Sequence, residues 1–117
     1  MTIQDLAADL VALCKAGDYT TPGEKYWADD VVSIEAAPGP MSRIQGKDNV
    51  RGKGEWWAAN HEVHGAEVTG PYINGDQFVV GFKMDITPKS TGERVTMDEV
   101  GLYTIKDGKI VEESFFY

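Results

Sequence analysis

The stretch Tyr26-Trp27-Ala28-Asp29-Asp30-Val31-Val32-Ser33-Ile34-Glu35 decides the fold. It begins as the last turn of a short helix, passes two acids, and becomes a strand of Val31, Val32 and Ile34 that ends on a carboxylate. The irregular Ala36-Ala37-Pro38-Gly39-Pro40 follows, and a proline cannot donate to a strand ladder. A Glu at the end of an apolar strand, beside a loop with two prolines, is placed to reach into a cavity.

Upstream of this stretch, Thr2 caps a first helix, with Asp5 three residues on as a capping box. Ile3, Leu6, Leu10, Leu13 and Cys14 recur at helical spacing, and Gly17 stops the helix. Thr21 as cap, Pro22 and Glu24 open a second, short helix that ends near Ala28. Downstream, Gly46-Lys47-Asp48 opens a third helix to about His61, with Val50, Gly54, Trp57 and His61 on one face. Trp56 and Trp57 point about 100° apart, so one belongs to the core and the other to an edge.

From residue 62 the period becomes two. Val63–Gly70 reads as a strand, Gly70-Pro71 as an interruption, and Asn74-Gly75-Asp76 as a hairpin turn. Phe78, Val80, Phe82, Met84 and Ile86 alternate with more polar positions in the next strand. A loop over Pro88 to Gly92 leads to strands Val95–Lys106 and Lys109–Tyr117, joined at Asp107-Gly108. Three helices, with a strand between the second and third, followed by four antiparallel strands, make an α+β domain spanning 1–117. A curved, mostly antiparallel sheet wrapped around N-terminal helices leaves a cone whose open end suits a ligand.

Composition narrows the function classes. The 117 residues carry a formal net charge of −8, which opposes phosphate backbones and anionic lipid. No nucleic acid or membrane partner is expected, and no apolar run approaches the roughly 20 residues of a spanning helix. The amino terminus has no signal-peptide pattern, so a cytoplasmic location is expected. Cys14 is the one cysteine, which excludes an internal disulfide and places an inert thiol in the core. His61 and His64 lie on different elements with no metal-ligand spacing, and no phosphate loop or nucleophile elbow stands out. Neither metal nor cofactor is expected.

Gly17-Asp18, Tyr26-Trp27-Ala28-Asp29-Asp30, Gly46-Lys47, Thr69-Gly70-Pro71 and Asp107-Gly108-Lys109-Ile110 occur in the order and spacing of a known superfamily. The chain resembles the nuclear transport factor 2-like proteins, and within them the small SnoaL-like and ketosteroid-isomerase-like ones. The resemblance implies a cystatin-like, cone-shaped α+β barrel, a homodimer through the outer sheet face, and a small-molecule ligand. Glu35 matches the isomerases' catalytic base, an Asp in those enzymes, and Glu99 lies close to the position of their second acid. His64 and Tyr117 match pocket-lining positions. The isomerases' helix tyrosine corresponds to Leu10, which cannot donate a hydrogen bond, so the resemblance does not extend to steroid isomerisation.

The candidate catalytic set is Glu35, His64 and Glu99, with Tyr26, Trp57, Phe82, Tyr103 and Tyr117 as ligand-binding residues. Desolvation in a partly apolar cavity raises a carboxyl's proton affinity toward the range useful at neutral pH. His64, on the face of Ala66 and Val68, would pair with Glu35, which would fix the imidazole's tautomer. Asp98 and Glu99 point to opposite strand faces, and a single bulge decides which looks inward. Glu113, in phase with Tyr117, either approaches the cavity or lies outside. The expected function is proton transfer next to a carbonyl, of the isomerase, cyclase or dehydratase class. The alternatives are a non-catalytic binder of a small apolar ligand and a structural or protein-interaction module.

Overall fold

The computed structural model describes residues 1–117. Helix α1 (Ile3–Lys15) starts on a complete capping box, with the Thr2 hydroxyl accepting from the Asp5 amide and Asp5 accepting from the Thr2 amide. It ends where Gly17, at φ 84°, takes the left-handed conformation that only glycine adopts without strain. Leu6, Ala7, Leu10, Val11 and Cys14 form its buried face.

Helix α2 (Thr21–Tyr26) begins one residue earlier than the sequence suggests, with Thr20 as the capping residue and no side-chain bond from it. Asp18 does the capping instead, accepting from the amides of Thr20 and Thr21 and from the Thr21 hydroxyl. Strand β1 (Trp27–Ile34) follows with no loop, so the chain turns from helix to sheet within one residue. A short strand β2 (Arg43–Gln45), which three residues are too few to announce, pairs antiparallel with β1. Helix α3 (Lys47–Asn60) ends on His61, whose Nδ1 lies 2.7 Å from the Trp57 carbonyl. Trp57 is half-buried and stacks on His61 at 4.3 Å, whereas Trp56 is exposed.

The remaining strands are β3 (His61–Asn74), β4 (Gln77–Pro88), β5 (Val95–Lys106) and β6 (Lys109–Phe116). Strand β3 runs on through Gly70-Pro71 to Asn74, with a register shift between Thr69 and Tyr72 where an interruption was expected. The six strands form one open, curled sheet in the order β2-β1-β6-β5-β4-β3, antiparallel throughout except where β1 runs parallel to β6. This is the expected α+β architecture.

Register assigns the two faces. Phe78, Val80, Phe82, Met84 and Ile86 of β4 are buried, and opposite them stand Tyr103, Gly101, Glu99, Met97 and Val95 of β5. Residues paired across a ladder share a face. The inner face therefore runs from Val68 on β3 to Glu113 on β6 and Ser33 on β1. Helices α1 and α3 pack against this side, and sixteen buried apolar residues form one core.

Candidate functional site

The inner face of β1 carries Val31, Ser33 and, just past the strand, Glu35, because side chains alternate along the chain. Ser33 pairs in register with Glu113 of β6. Both are buried polar residues, at 0% and 6% exposure. Helix α3 brings a cation down onto them: Lys53 lies three residues after buried Val50 and four before Trp57, on the helix face turned to the sheet. Its Nζ donates to Ser33 Oγ at 2.6 Å, forms an ion pair with Glu35 Oε1 at 2.7 Å, and lies 5.3 Å above the Phe115 ring. Ser33 in turn donates to Glu113 Oε2 at 3.3 Å, while Trp27 Nε1 donates to Glu113 Oε1 at 2.5 Å.

Glu99 completes the group from β5. The unbroken β4–β5 register sets it opposite Phe82 on the inner face and sends Asp98 outward, opposite Lys83. Burial pushes the Glu99 carboxyl up to about 7, and the neighbouring Glu35 and Glu113 charges reinforce this against the pull of Lys53. Burial likewise pushes Glu113 up to about 7, opposed by Lys53 and by the hydrogen bonds from Trp27 and Ser33. Two carboxyls thus hold or release protons near neutrality beside a third that is ion-paired to lysine.

Tyr103 lies along β5 toward Glu99. A Cβ on Gly101 would stand 3.0 Å from its Cε2 and 3.2 Å from its hydroxyl, so the glycine leaves room for the ring. Phe78 stacks on Tyr103 at 5.0 Å, and Phe115 meets it edge-on at 6.3 Å. Burial, then the Glu113 charge, raises the pKa of its phenol well above the ordinary value. Tyr117 is exposed; its hydroxyl accepts from the Ala37 amide at 3.3 Å, and burial raises its pKa, with Glu35 adding to the effect.

Other expected site residues lie elsewhere. A register shift between Val63 and Gly65 puts His64 out of phase with Ala66 and Val68. It is exposed, with Nε2 2.7 Å from the Thr87 hydroxyl on the outer face, and does not meet Glu35. The bulge adds one residue and so reverses the direction the alternation implied. Tyr26 is buried, and its hydroxyl donates to Asp9, joining α2 to α1 rather than facing Glu35. Phe82 is a core residue, and Trp57 packs against the core beside His61. A groove of about 440 Å³ opens on the sheet around Gly65, Lys83, Asp85 and Arg94, away from the Lys53 group, with Arg94 bound two-pronged to Asp85 at 2.8 and 2.6 Å.

Sequence reasoning missed Lys53 and Ser33. The signal for Lys53 was present, since Val50, Lys53 and Trp57 fall at helical spacing and a Lys on an apolar stripe needs a partner. Ser33 stands two residues before Glu35 and shares its face.

A family model for the SnoaL-like domain matches residues 1–117. The chain is 60% identical to a candidate SnoaL-like polyketide cyclase of Mesorhizobium loti, whose name also carries the label carbohydrate phosphatase; the alignment covers 100% of both chains with a TM-score of 0.98. At 20% identity it superposes on a cystatin-like fold from Xanthomonas campestris, covering 99% of this chain and 90% of that one, TM-score 0.78. At 16% identity it superposes on an NTF2-like protein of Burkholderia pseudomallei, covering 97% and 88%, TM-score 0.76. Among curated proteins none matches. The chain belongs to the SnoaL-like domain family, and its fold is that of the cystatin-like and NTF2-like structures on which it superposes.

Proposed function

We propose that the protein is an enzyme that moves a proton at a carbon next to a carbonyl in a small, largely apolar molecule. Glu35 is the base and Glu99 the acid that protonates or hydrogen-bonds the developing oxyanion. The observation that carries this reading is a carboxylate in an ion pair with Lys53 beside a second carboxyl that burial pushes up to about 7. An ion-paired carboxylate beside a carboxyl that burial holds partly protonated supplies a base and an acid at one pH. Tyr117 offers a phenol for a ligand oxygen and Phe115 an apolar wall, with buried Tyr103 packed behind them. His64 has no part, being on the other face. The name of the Mesorhizobium loti relative supports a cyclase-type reaction. A phosphate ester fits poorly, since the one cation of the group, Lys53, is already paired with Glu35 and leaves no positive charge to hold a phosphate.

The reading includes a homodimer. Tyr72, Val79, Leu102, Val100 and Phe116 share the outer face by register, with Tyr72 65% and Phe116 53% exposed. A second copy would cover this face by two-fold pairing.

The test is deuterium uptake at the α-carbons of a panel of small cyclic ketones and 1,3-diketones in D₂O, followed by NMR. Catalysed exchange by the native chain, falling 10²–10⁴-fold in Glu35→Gln, supports the reading. Binding without exchange across the panel would make the protein a ligand carrier instead.

A further inference from the structure

We propose that Glu113 is a positioning residue of this site: acting through the Ser33 hydroxyl, it holds the Lys53 ammonium against Glu35. The proposal rests on the reading of Glu35 as the base, and its geometry stands without a substrate. Glu113 is too enclosed to touch a ligand, and both its oxygens are occupied, Oε1 by Trp27 and Oε2 by Ser33. An ammonium has donors and no acceptor, so the direction of the chain is fixed. Lys53 donates to Ser33, and Ser33, with one proton to give, donates it to Glu113. Lys53 thus lies between two acids, one met directly at 2.7 Å and the other through a fully buried hydroxyl.

The arrangement has two states. With Glu113 ionised, the Ser33 proton points at it, and the ammonium is drawn toward β6 as well as toward Glu35. With Glu113 protonated, its acid O–H turns donor, Ser33 loses its acceptor, and Glu35 is left as the only anion bonded to Lys53 either directly or through Ser33. The proton on Glu113 therefore sets how tightly Lys53 engages the base. The charged and titratable groups facing Glu113 are Lys53 from α3, Glu35 beyond β1, and Tyr103 and Glu99 from β5. Of these, Lys53 is the one joined to it by hydrogen bonds through Ser33.

The experiment follows the Lys53 side-chain ¹³Cε and ¹⁵Nζ resonances between pH 5 and 9 in the ligand-free, isotope-labelled protein. The native chain should show a step with its midpoint near 7, where the Glu113 carboxyl titrates. Glu113→Gln, which keeps the shape and can still bond Trp27 and Ser33, should lose most of that step. Ser33→Ala should reduce it at least twofold, and Glu99→Gln should retain more than half. Persistence of the step in both Glu113→Gln and Ser33→Ala would overturn the proposal, as would its loss in Glu99→Gln alone. Should Glu113→Gln not fold, Ser33→Ala decides the matter by the same criterion. No substrate enters the measurement, so its failure is separate from failure of the ketone-exchange assay.

Discussion

Lys53 changes what a substitution at Glu35 should do. An unpaired carboxylate in a cavity would cost the fold stability, and its replacement by Gln would be neutral or stabilising. With Lys53 2.7 Å away and only 13% exposed in its side chain, Glu35→Gln instead strands a cation. Breaking a buried pair by removing one partner is destabilising, and partial exposure tempers the loss. Urea unfolding of Glu35→Gln should therefore show a loss of about 1–2 kcal/mol, and a rise in stability would argue against the pair. Cys14 makes the complementary case of an inert group. It is 5% exposed and burial pushes its thiol up to about 12, so a thiol reagent at pH 8 should label it slowly until the chain unfolds. Rapid labelling of the native protein would place that face of α1 in solvent.

At the scale of the elements, β5 turns a simple alternation into a site: Met97, Glu99, Gly101 and Tyr103 all face inward. Gly101→Ala would press a methyl against Tyr103 and Phe115 at 3.0–3.3 Å. Overpacking of this kind costs about 1–3 kcal/mol and should weaken the near-ultraviolet circular dichroism of the tyrosine; a variant as stable as the native chain would mean that the ring lies elsewhere. The period-two pattern of β4 was legible in the sequence because its apolar positions alternate with more polar ones, whereas β5 reads apolar on both faces and takes its direction from a regular, unbroken pairing with β4. The inward turn of Glu99 follows from that regularity. His64 was not legible, because the register shift after Val63 leaves no mark in composition. For Glu113 the sequence left both faces open, and its inward position is set by pairing with Tyr103 of β5 and with Ser33 of β1, the latter eighty residues away in the chain. Helix α3 hid its key residue for a different reason. Lys53 stands between Gly52 and Gly54, so only Val50 and Trp57 mark the face it shares.

For the whole molecule, the site sets the pH dependence of folding. Glu99 and Glu113 bind protons more tightly folded than unfolded, so they stabilise the protein fully at low pH, and that contribution is lost as pH rises from about 4.5 toward 7. Asp9, Asp18, Glu24 and Asp85, held low chiefly by hydrogen bonds from Lys25, Thr21, Arg51 and Arg94 respectively, act in the opposite sense, their contribution disappearing as pH falls below about 4. Stability should peak near pH 5, and Glu113→Gln should exceed the native chain at pH 8 while matching it at pH 5; urea midpoints across that range check both. Sedimentation at micromolar concentration should give twice the 12.8 kDa chain mass, and a monomer would leave the outer apolar face uncovered. The central claim is that the sheet's inner face holds carboxyls poised to exchange protons near neutrality. Its most direct test is a ¹³C titration of the glutamate carboxyls in the folded protein. The account predicts two resonances with midpoints near 7, one removed by Glu99→Gln and the other by Glu113→Gln. A folded protein in which every glutamate carboxyl titrates between about 3 and 5 would contradict it.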